Sequence, residues 1–212
     1  MSAEDKSAEI TRRSFMKRGA LAGSGLVIAN EILSSELLAA ASKPTGATMI
    51  GVPFQARDQV RLGIIGVGGR GTSLLKDLLA VDKVEIRAIC DLVPEKVARA
   101  QKAVTDAGQP QPTGFTKGES DFKNLNQLDL DMVYIATPWN WHALMALDAL
   151  KNGKHAAVEV PACTTLEECW DLVDTSEATR KHCVILENCC YGSTEMMVLG
   201  MVRDGLFGEI TH

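Results

Sequence analysis

Three glycines in one short stretch have the spacing of a dinucleotide-binding loop. The segment LGIIGVGGRGTS (62–73) is an apolar run of strand type followed by Gly66, Gly68 and Gly71, and the leucines after it have helical spacing. In a strand–loop–helix unit the first glycine permits the tight turn, the second lets backbone approach a pyrophosphate, and the third lets helix and strand pack closely. The helix N-terminus supplies free N–H groups and a favourable dipole for the anion. We therefore predict a dinucleotide site rather than a plain glycine-rich turn.

An acidic residue follows at the position where the ribose of a dinucleotide would lie. Asp91 ends a second predicted strand, VEIRAICD, about 20 residues beyond the glycines, as expected for a partner of the ribose 2′-hydroxyl. Its carboxylate would repel a 2′-phosphate, which favours NAD over NADP. A simple turn residue is the alternative. Arg70, inside the loop, is a candidate phosphate contact or a solvated side chain.

The other unusual residues follow three later predicted strands. The segments ATPWNWH, EVP and ENCCYG each come directly after a strand, and ligands of parallel α/β folds bind outside the C-terminal ends of the strands. Singly, each residue has a structural explanation, such as a helix start or a turn. Together on one sheet edge they predict a pocket rim. The rim residues are Trp139, Trp141, His142, Glu159, Asn188 and Tyr191.

The elements that must position these residues alternate between strand and helix. Short apolar runs at VRLGIIG, VEIRAICD, DMVYIATP, HAAVEVP and HCVILEN are separated by helical stretches with proline starts or glycine ends. Thr164 or Thr165 is the expected N-cap of the helix after HAAVEVP. Helices of this length between strands imply right-handed crossovers and a parallel sheet. We predict an α/β fold, a Rossmann-type doubly wound parallel sheet, over residues 60–205.

The N-terminus has the order of features of an export signal. Arg12 and Arg13 precede a mild apolar stretch, and small residues at Ala39 and Ala41 suit a cleavage site. The stretch is too short and too mild to span a bilayer. It resembles a twin-arginine signal, read by the twin-arginine export machinery. We predict a signal peptide over 1–41, a linker or arm over 42–59, and a periplasmic or extracellular protein exported after folding.

Composition excludes some classes of function. The net charge of −5 provides no general basic field for nucleic acid. Six cysteines form no C-x-x-C pair, and no histidine has zinc-finger spacing, so no metal site is predicted. Most of the cysteines lie in apolar runs and are expected to be small buried hydrophobic residues. Adjacent Cys189 and Cys190 are expected to be unpaired with each other.

Five motifs together resemble the N-terminal domain of the Gfo/Idh/MocA oxidoreductase family: LGIIGVGGRGT, AICD, YIATPWNWH, GKHAAVEVP and GLFGEI. The resemblance covers roughly residues 60 to 212. GLFGEI is similar to the hinge that leads into a second, α+β, sugar-binding domain. Residues 206–212 are therefore expected to begin a substrate domain that this chain largely lacks, which makes the chain a fragment of a longer protein.

One departure from the family pattern concerns the segment after the fifth strand. The family signature there is Glu-Lys-Pro, whose Lys takes part in proton transfer during sugar oxidation, whereas this chain has Glu159-Val160-Pro161. With WNWH and ENCCYG, this segment looks most like the family 109 glycoside hydrolases, which are NAD-dependent α-N-acetylgalactosaminidases. The resemblance implies hydrolysis by transient oxidation at sugar C3, elimination, water addition and return of the hydride, with no net use of NAD.

The resemblance also implies which residues contact NAD. The matching positions are Gly66, Gly68, Gly69, Arg70, Gly71, Asp91, Trp139, Asn140, Trp141, His142, Glu159, Val160 and Asn188. Tyr191 is a candidate proton-transfer group, while a catalytic His and most sugar contacts would lie beyond residue 212. The alternatives are an NAD-dependent sugar dehydrogenase and an inactive NAD-binding fragment. The exact sugar and self-association into a homo-oligomer stay open.

Overall fold

The computed structural model describes residues 47–210, and they form one six-stranded parallel sheet with helices on both faces. The strand order is β3-β2-β1-β4-β5-β6, so the chain reverses its winding direction between β1 and β4. The strands are β1 (Val60–Ile65), β2 (Val84–Cys90), β3 (Thr113–Phe115), β4 (Met132–Ile135), β5 (His155–Val158) and β6 (Cys183–Ile185). The helices are α1 (Gly69–Leu79), α2 (Pro94–Asp106), α3 (Phe122–Leu125), α4 (His142–Lys151), α5 (Leu166–Thr179) and α6 (Ser193–Arg203).

Alternation of side chains along the strands divides the core between the two faces. In β1, Leu62 and Ile64 pack with α1 and α2, whereas Ile65 packs with α3 and α4 on the opposite face. In β4, Val133 and Ile135 likewise lie on the α4 face. The central strands are apolar on both sides because helices cover both faces. The predicted Rossmann-type α/β fold is confirmed.

The ends of the helices follow local sequence signals. Thr165 is the N-cap of α5: its side chain accepts the backbone N–H of Glu168, and the Glu168 carboxylate accepts the backbone N–H of Thr165. This capping box satisfies two N–H groups that have no partner within the helix. Gly108, Gly153 and Gly205 follow α2, α4 and α6 with positive φ, a conformation that glycine adopts without steric cost. The expected helix ends are therefore found at these residues.

Two elements lie in a stretch to which the sequence analysis assigned nothing. The edge strand β3 has only three residues and pairs with β2 alone. The single-turn helix α3 packs the buried side chains of Phe122 and Leu125 under the sheet. Leu125 also comes so close to β1 that a Cβ at Gly63 would lie 2.9 Å from it. Elements this short carry too few residues for a periodic pattern.

A segment ahead of β1 lies against the N-terminal ends of the strands. The predicted site is at the opposite, C-terminal ends. The Phe54 ring lies 4.0 Å from the ring of His182 and 5.0 Å from that of His155. Arg57 approaches Asp131 at 3.5 Å, and the Arg180 guanidinium donates to the carbonyl of Ala47. The described part of the predicted 42–59 linker is thus held against the domain. Along residues 47–210, no helix is both long and apolar enough to cross a membrane.

Protonation of His155 is expected to lower the free energy of unfolding in mild acid. Burial, with Lys181 and His182 nearby, lowers the pKa of His155 to about 4 from an ordinary 6.5. Its Nδ1 accepts the backbone N–H of His182 at 2.9 Å, which a protonated ring cannot do. Because the unfolded chain binds this proton more readily, stability is complete above pH 6.5 and falls toward pH 4. The partly exposed ring should contribute roughly 1 kcal/mol to this loss.

Urea unfolding between pH 7 and pH 4.5 measures this contribution. His155→Gln should flatten the pH dependence of the free energy of unfolding, and Lys154→Gln, one residue away, should leave it unchanged. Equal slopes for the wild type and His155→Gln would show that the ring carries no such linkage.

Candidate dinucleotide-binding site

Close backbone contacts explain two of the three glycines in the loop between β1 and α1. Gly66 has a φ of +86°, and a Cβ there would lie 2.6 Å from the carbonyl oxygen of Ala136 at the end of β4. A Cβ at Gly71 would lie 1.9 Å from the carbonyl oxygen of Gly66. A side chain at Gly71 would push α1 away from the end of β1, and one at Gly66 would push the end of β1 away from the end of β4. Gly66 and Gly71 therefore have the roles in tight turn and helix–strand packing that the spacing predicts.

Gly68 differs, because a Cβ there would meet no atom within 4 Å. Gly68 lines the cleft beside the loop and is the N-cap residue of α1. No side chain caps this helix end, and its first turn contains no acidic residue. The first N–H groups of α1 therefore face space that an anion can fill, and the helix dipole favours negative charge there. This open position is the fit expected for a pyrophosphate.

The Asp91 carboxylate connects the glycine loop to the end of β2. Its Oδ2 accepts the backbone N–H of Val67 at 2.9 Å, and its Oδ1 accepts that of Val93 at 3.0 Å. Lys96, at the start of α2, lies 3.9 Å away. Asp91 thus holds the loop in place and also forms part of the cleft wall, where its remaining lone pairs can accept from a hydroxyl. Only the second of these roles is predictable from the sequence motif.

A cleft of about 460 Å³ runs along the C-terminal ends of β1, β2 and β4. Among the predicted residues, Gly66, Gly68, Asp91 and Trp141 line it. Its other lining residues include Cys90, Lys96, Glu119, Phe122, Thr137 and Met145. Burial raises the pKa of the Cys90 thiol to about 12, so this wall carries no thiolate at neutral pH. Lys96, Glu119 and Phe122 were not predicted. Glu119 and Phe122 come from the unassigned stretch between α2 and β4, and Lys96 lies in the first turn of α2.

The WNWH segment divides its four residues between different environments. Trp139 and Asn140 are exposed, and Trp141 turns its ring to the cleft. His142 is buried: its Nδ1 lies 2.7 Å from the carbonyl oxygen of Pro161, and its Nε2 lies 2.7 Å from that of Thr137. The ring therefore joins the chain after β4 to the chain after β5. In this arrangement both ring nitrogens face protein carbonyls and not the cleft.

An ion pair links the glycine loop to the end of β5. The Arg70 Nε donates to Glu159 Oε1 at 2.7 Å, with the carboxylate largely covered and the guanidinium half exposed. Arg70 is therefore engaged by protein, an arrangement that the sequence analysis did not consider. Val160, beside Glu159, is 42% exposed at the strand end. The pair can set the distance between α1 and the β5 segment.

Asn188 and Tyr191 lie on a single 3₁₀ turn just after β6. Both are exposed, with 72% of Tyr191 accessible. The structure thus places them on the same edge of the sheet as the glycine loop, outside the cleft lining.

Comparison with known proteins agrees with this geometry. Residues 60–187 match the family model GFO_IDH_MocA, described as "Oxidoreductase family, NAD-binding Rossmann fold". The chain belongs to this family. The predicted NAD cofactor is thereby confirmed at the level of the family.

Curated relatives give a more specific likeness. A "Glycosyl hydrolase family 109 protein" of Saccharopolyspora erythraea is 50% identical over 208 residues, which are 98% of this chain and 45% of the relative. One of the same name from Solibacter usitatus is 48% identical, over 95% of this chain and 44% of the relative. The predicted resemblance to family 109 is confirmed. The chain spans less than half the length of these relatives.

Solved structures share the fold at low sequence identity. Scyllo-inositol dehydrogenase from Lactobacillus casei, solved with NAD(H) and scyllo-inositol, has a TM-score of 0.63 and 20% identity over 72% of this chain and 43% of its own. The WlbA dehydrogenase of Chromobacterium violaceum, solved with NADH and UDP-GlcNAcA, has a TM-score of 0.63 and 21% identity, covering 76% and 44%.

A methyl group at Gly68 tests the assignment of the pyrophosphate position. Gly68→Ala should fold normally, because a Cβ meets no atom there and the φ of −70° suits alanine. It should weaken NAD binding about tenfold or more, since overpacking of an occupied site costs roughly 1–3 kcal/mol. Titration calorimetry measures the affinity, and thermal unfolding checks the fold.

Gly200→Ala in α6 is the matched control, because it adds the same methyl in open space away from the cleft. It should leave NAD affinity unchanged. Wild-type affinity in a folded Gly68→Ala protein would place the pyrophosphate elsewhere.

Proposed function

We propose that this chain is the NAD-binding domain of an exported glycosidase that cleaves α-N-acetylgalactosaminides. The support is its 43–52% identity to proteins named for glycoside hydrolase family 109, along most of its length. The solved dehydrogenases are about half as similar in sequence and support only the fold. The glycosidase proposal is therefore preferred to a sugar dehydrogenase.

We propose a position for each part of the cofactor along the cleft. The pyrophosphate would lie over Gly68 and the first N–H groups of α1, and the adenine ribose beside Asp91. Asp91 and Glu119 outnumber Lys96 among the charged residues that line the cleft, which disfavours a 2′-phosphate and favours NAD over NADP. Trp141 would bound the site where the cleft reaches the end of β4. The nicotinamide would then lie toward the strand ends of β4 and β5.

Other predicted NAD contacts would position the segments around the cleft and would not touch the cofactor themselves. Glu159 and Arg70 hold the β5 segment against α1, and Val160 stands next to them at the strand end. His142 keeps the same segment in register with the chain after β4. We assign Arg70, Glu159 and His142 as positioning residues, with Asn188 on the outer rim. NAD bound here would accept a hydride from sugar C3 and return it later in the same turnover.

The residue at position 160 departs from the ordinary dehydrogenase pattern of the family. The family resemblance places a proton-transferring Lys there, and this chain has a half-exposed Val160 that can neither give nor take a proton. Oxidation of a sugar hydroxyl, net or transient, needs a base for the hydroxyl proton, so another residue must supply that base here. Tyr191, exposed on the same sheet edge, is the described side chain that we propose for proton transfer. A pair of carboxylates of the usual glycosidase type is not part of this proposal.

The exposed surface of α6 agrees with a second domain. No residue of α6 is buried, although Met196, Met197, Val198, Leu199 and Val202 are all apolar. Apolar patches of this kind mark surfaces that are covered by a partner or another domain. We propose that the half of the longer relatives that this chain does not match packs here. A chain without that half would bind NAD and leave glycosides intact.

A chimera tests the glycosidase assignment. Residues 47–210 would replace the matching segment of the Saccharopolyspora relative, with the unaltered relative as control. The chimera should release chromophore from an aryl α-N-acetylgalactosaminide without added NAD, because the cofactor is restored in each turnover. The isolated chain should retain NAD and release none. Accumulation of NADH without glycoside cleavage would instead favour the dehydrogenase.

A second experiment tests export, because residues 1–41 lie outside the described part of the chain. Fusion of residues 1–59 to a fluorescent protein that folds in the cytoplasm should give periplasmic fluorescence in a host with the twin-arginine system. Arg12→Lys combined with Arg13→Lys should reduce it by about tenfold or more, since the receptor reads the arginine pair. Lys17→Arg is the control that keeps the pair. Equal periplasmic fluorescence for the double variant would remove the twin-arginine assignment.

A further inference from the structure

Two thiols lie unusually close together in the segment that joins β5 to α5. The Sγ atoms of Cys163 and Cys169 are 2.8 Å apart. Neither residue belongs to the cleft, and neither was assigned a role by the sequence analysis. A disulfide has an S–S length of about 2.05 Å, so closure of this pair needs a movement of only about 0.8 Å.

The cap of α5 fixes this proximity. Thr164 and Thr165 both donate backbone N–H groups to the Glu168 carboxylate, at 2.7 and 3.1 Å, and Glu168 donates its own N–H to the Thr165 hydroxyl. These bonds fold residues 163–169 into one compact turn. The capping box therefore brings the two sulfur atoms together without a covalent bond between them.

Both cysteines lie at the margin between core and solvent. Cys163 and Cys169 are partly exposed, whereas Cys90 is buried in the core. Burial, together with the hydrogen bond to Cys169, raises the pKa of Cys163 to about 12. Cys163 is therefore a thiol at neutral pH, which slows its oxidation without preventing it.

We propose that Cys163 and Cys169 form a disulfide bond when the protein meets a small-molecule disulfide such as oxidised glutathione. The thiolate of one cysteine attacks the glutathione disulfide, which gives a mixed disulfide and releases one glutathione thiolate. The thiolate of the other cysteine then attacks the protein sulfur of the mixed disulfide, which forms the Sγ–Sγ bond and releases the second glutathione. The two cysteines lose two protons and two electrons, and one glutathione disulfide becomes two thiols.

The bond would hold the β5 strand end against α5. Cys163 follows Pro161 by two residues, and the Pro161 carbonyl is one of the two that His142 contacts. Glu159 and Val160 directly precede Pro161. A bond from Cys163 to α5 would thus restrain the segment that we place beside the cofactor. The inference goes beyond the proposed function and does not depend on it, because the thiol geometry arises from the α5 cap.

Peptide mapping gives a direct test on the purified chain. The protein is incubated in oxidised or in reduced glutathione, alkylated, and digested with trypsin. Cys163 and Cys169 fall on one tryptic peptide, 155–180, while Cys183, Cys189 and Cys190 fall on the next, 182–203. In oxidised glutathione, peptide 155–180 should lack both alkyl groups and be two hydrogens lighter. In reduced glutathione it should carry two alkyl groups.

Oxidation should also raise the unfolding temperature by roughly 5 °C, since closing even a short loop restricts the unfolded chain. The shift should vanish in Cys163→Ser and in Cys169→Ser. It should persist in Cys183→Ser, the matched control from the neighbouring strand β6. Cys183→Ser should also still give the internally bonded peptide 155–180.

Three outcomes would overturn the proposal. The first is peptide 155–180 that remains doubly alkylated in oxidised glutathione. The second is the same peptide carrying glutathione on a cysteine without closure. The third is a cross-link from peptide 155–180 to peptide 182–203, which would assign the bond to a cysteine at or beyond β6. Because peptide mapping of the wild-type chain detects the bond itself, poor folding of a cysteine variant does not change this result.

Discussion

The architecture of the site depends on one backbone contact, the close approach of α1 to the end of β1. The carbonyl oxygen of Gly66 lies only 1.9 Å from the position that a Cβ at Gly71 would occupy. Gly66 in turn has no room for a side chain because of Ala136 on the neighbouring strand. Three backbones therefore meet at one point, and the first turn of α1 is held at the edge of the sheet. From there its N–H groups face the cleft, which is the basis for anion binding.

Hydrogen bonds and ion pairs then connect the separate strand ends to this point. Asp91 links the loop to β2 through the N–H groups of Val67 and Val93. Arg70 links α1 to β5 through Glu159, and His142 joins the segments after β4 and β5. Each link uses a polar group that the sequence pattern or the family resemblance had assigned to the cofactor. The same residues thus shape the cleft before any ligand enters, which lowers the cost of ordering it on binding.

Sequence predicted the parts of this fold that rest on local rules. The glycine loop, the strand and helix alternation, and the helix end at Gly108 all follow from periodicity, steric limits and capping. The β3 strand and the α3 turn were not assigned, because three or four residues carry no periodic signal. The Arg70–Glu159 pair and the contact of His142 with Pro161 were also missed, since these partners are 89 and 19 residues apart in the chain. Long-range partners depend on strand order, which a single sequence does not encode locally.

The N-terminal and C-terminal ends of the strands differ in a way that bears on function. At the N-terminal ends, Asp131 accepts three hydrogen bonds from Arg61, one from its backbone N–H and two from its guanidinium. The pKa of the Asp131 carboxyl is well below the ordinary value. Arg57 also lies 3.5 Å from that carboxylate, so Asp131 is engaged by two arginines and serves the fold. At the C-terminal ends, the N–H groups at the start of α1, the lone pairs of Asp91 and the hydroxyl of Tyr191 retain capacity for further bonds. Groups that can form further hydrogen bonds therefore lie at the C-terminal ends of the strands, and there Val160 gives the β5 segment no proton-transfer group.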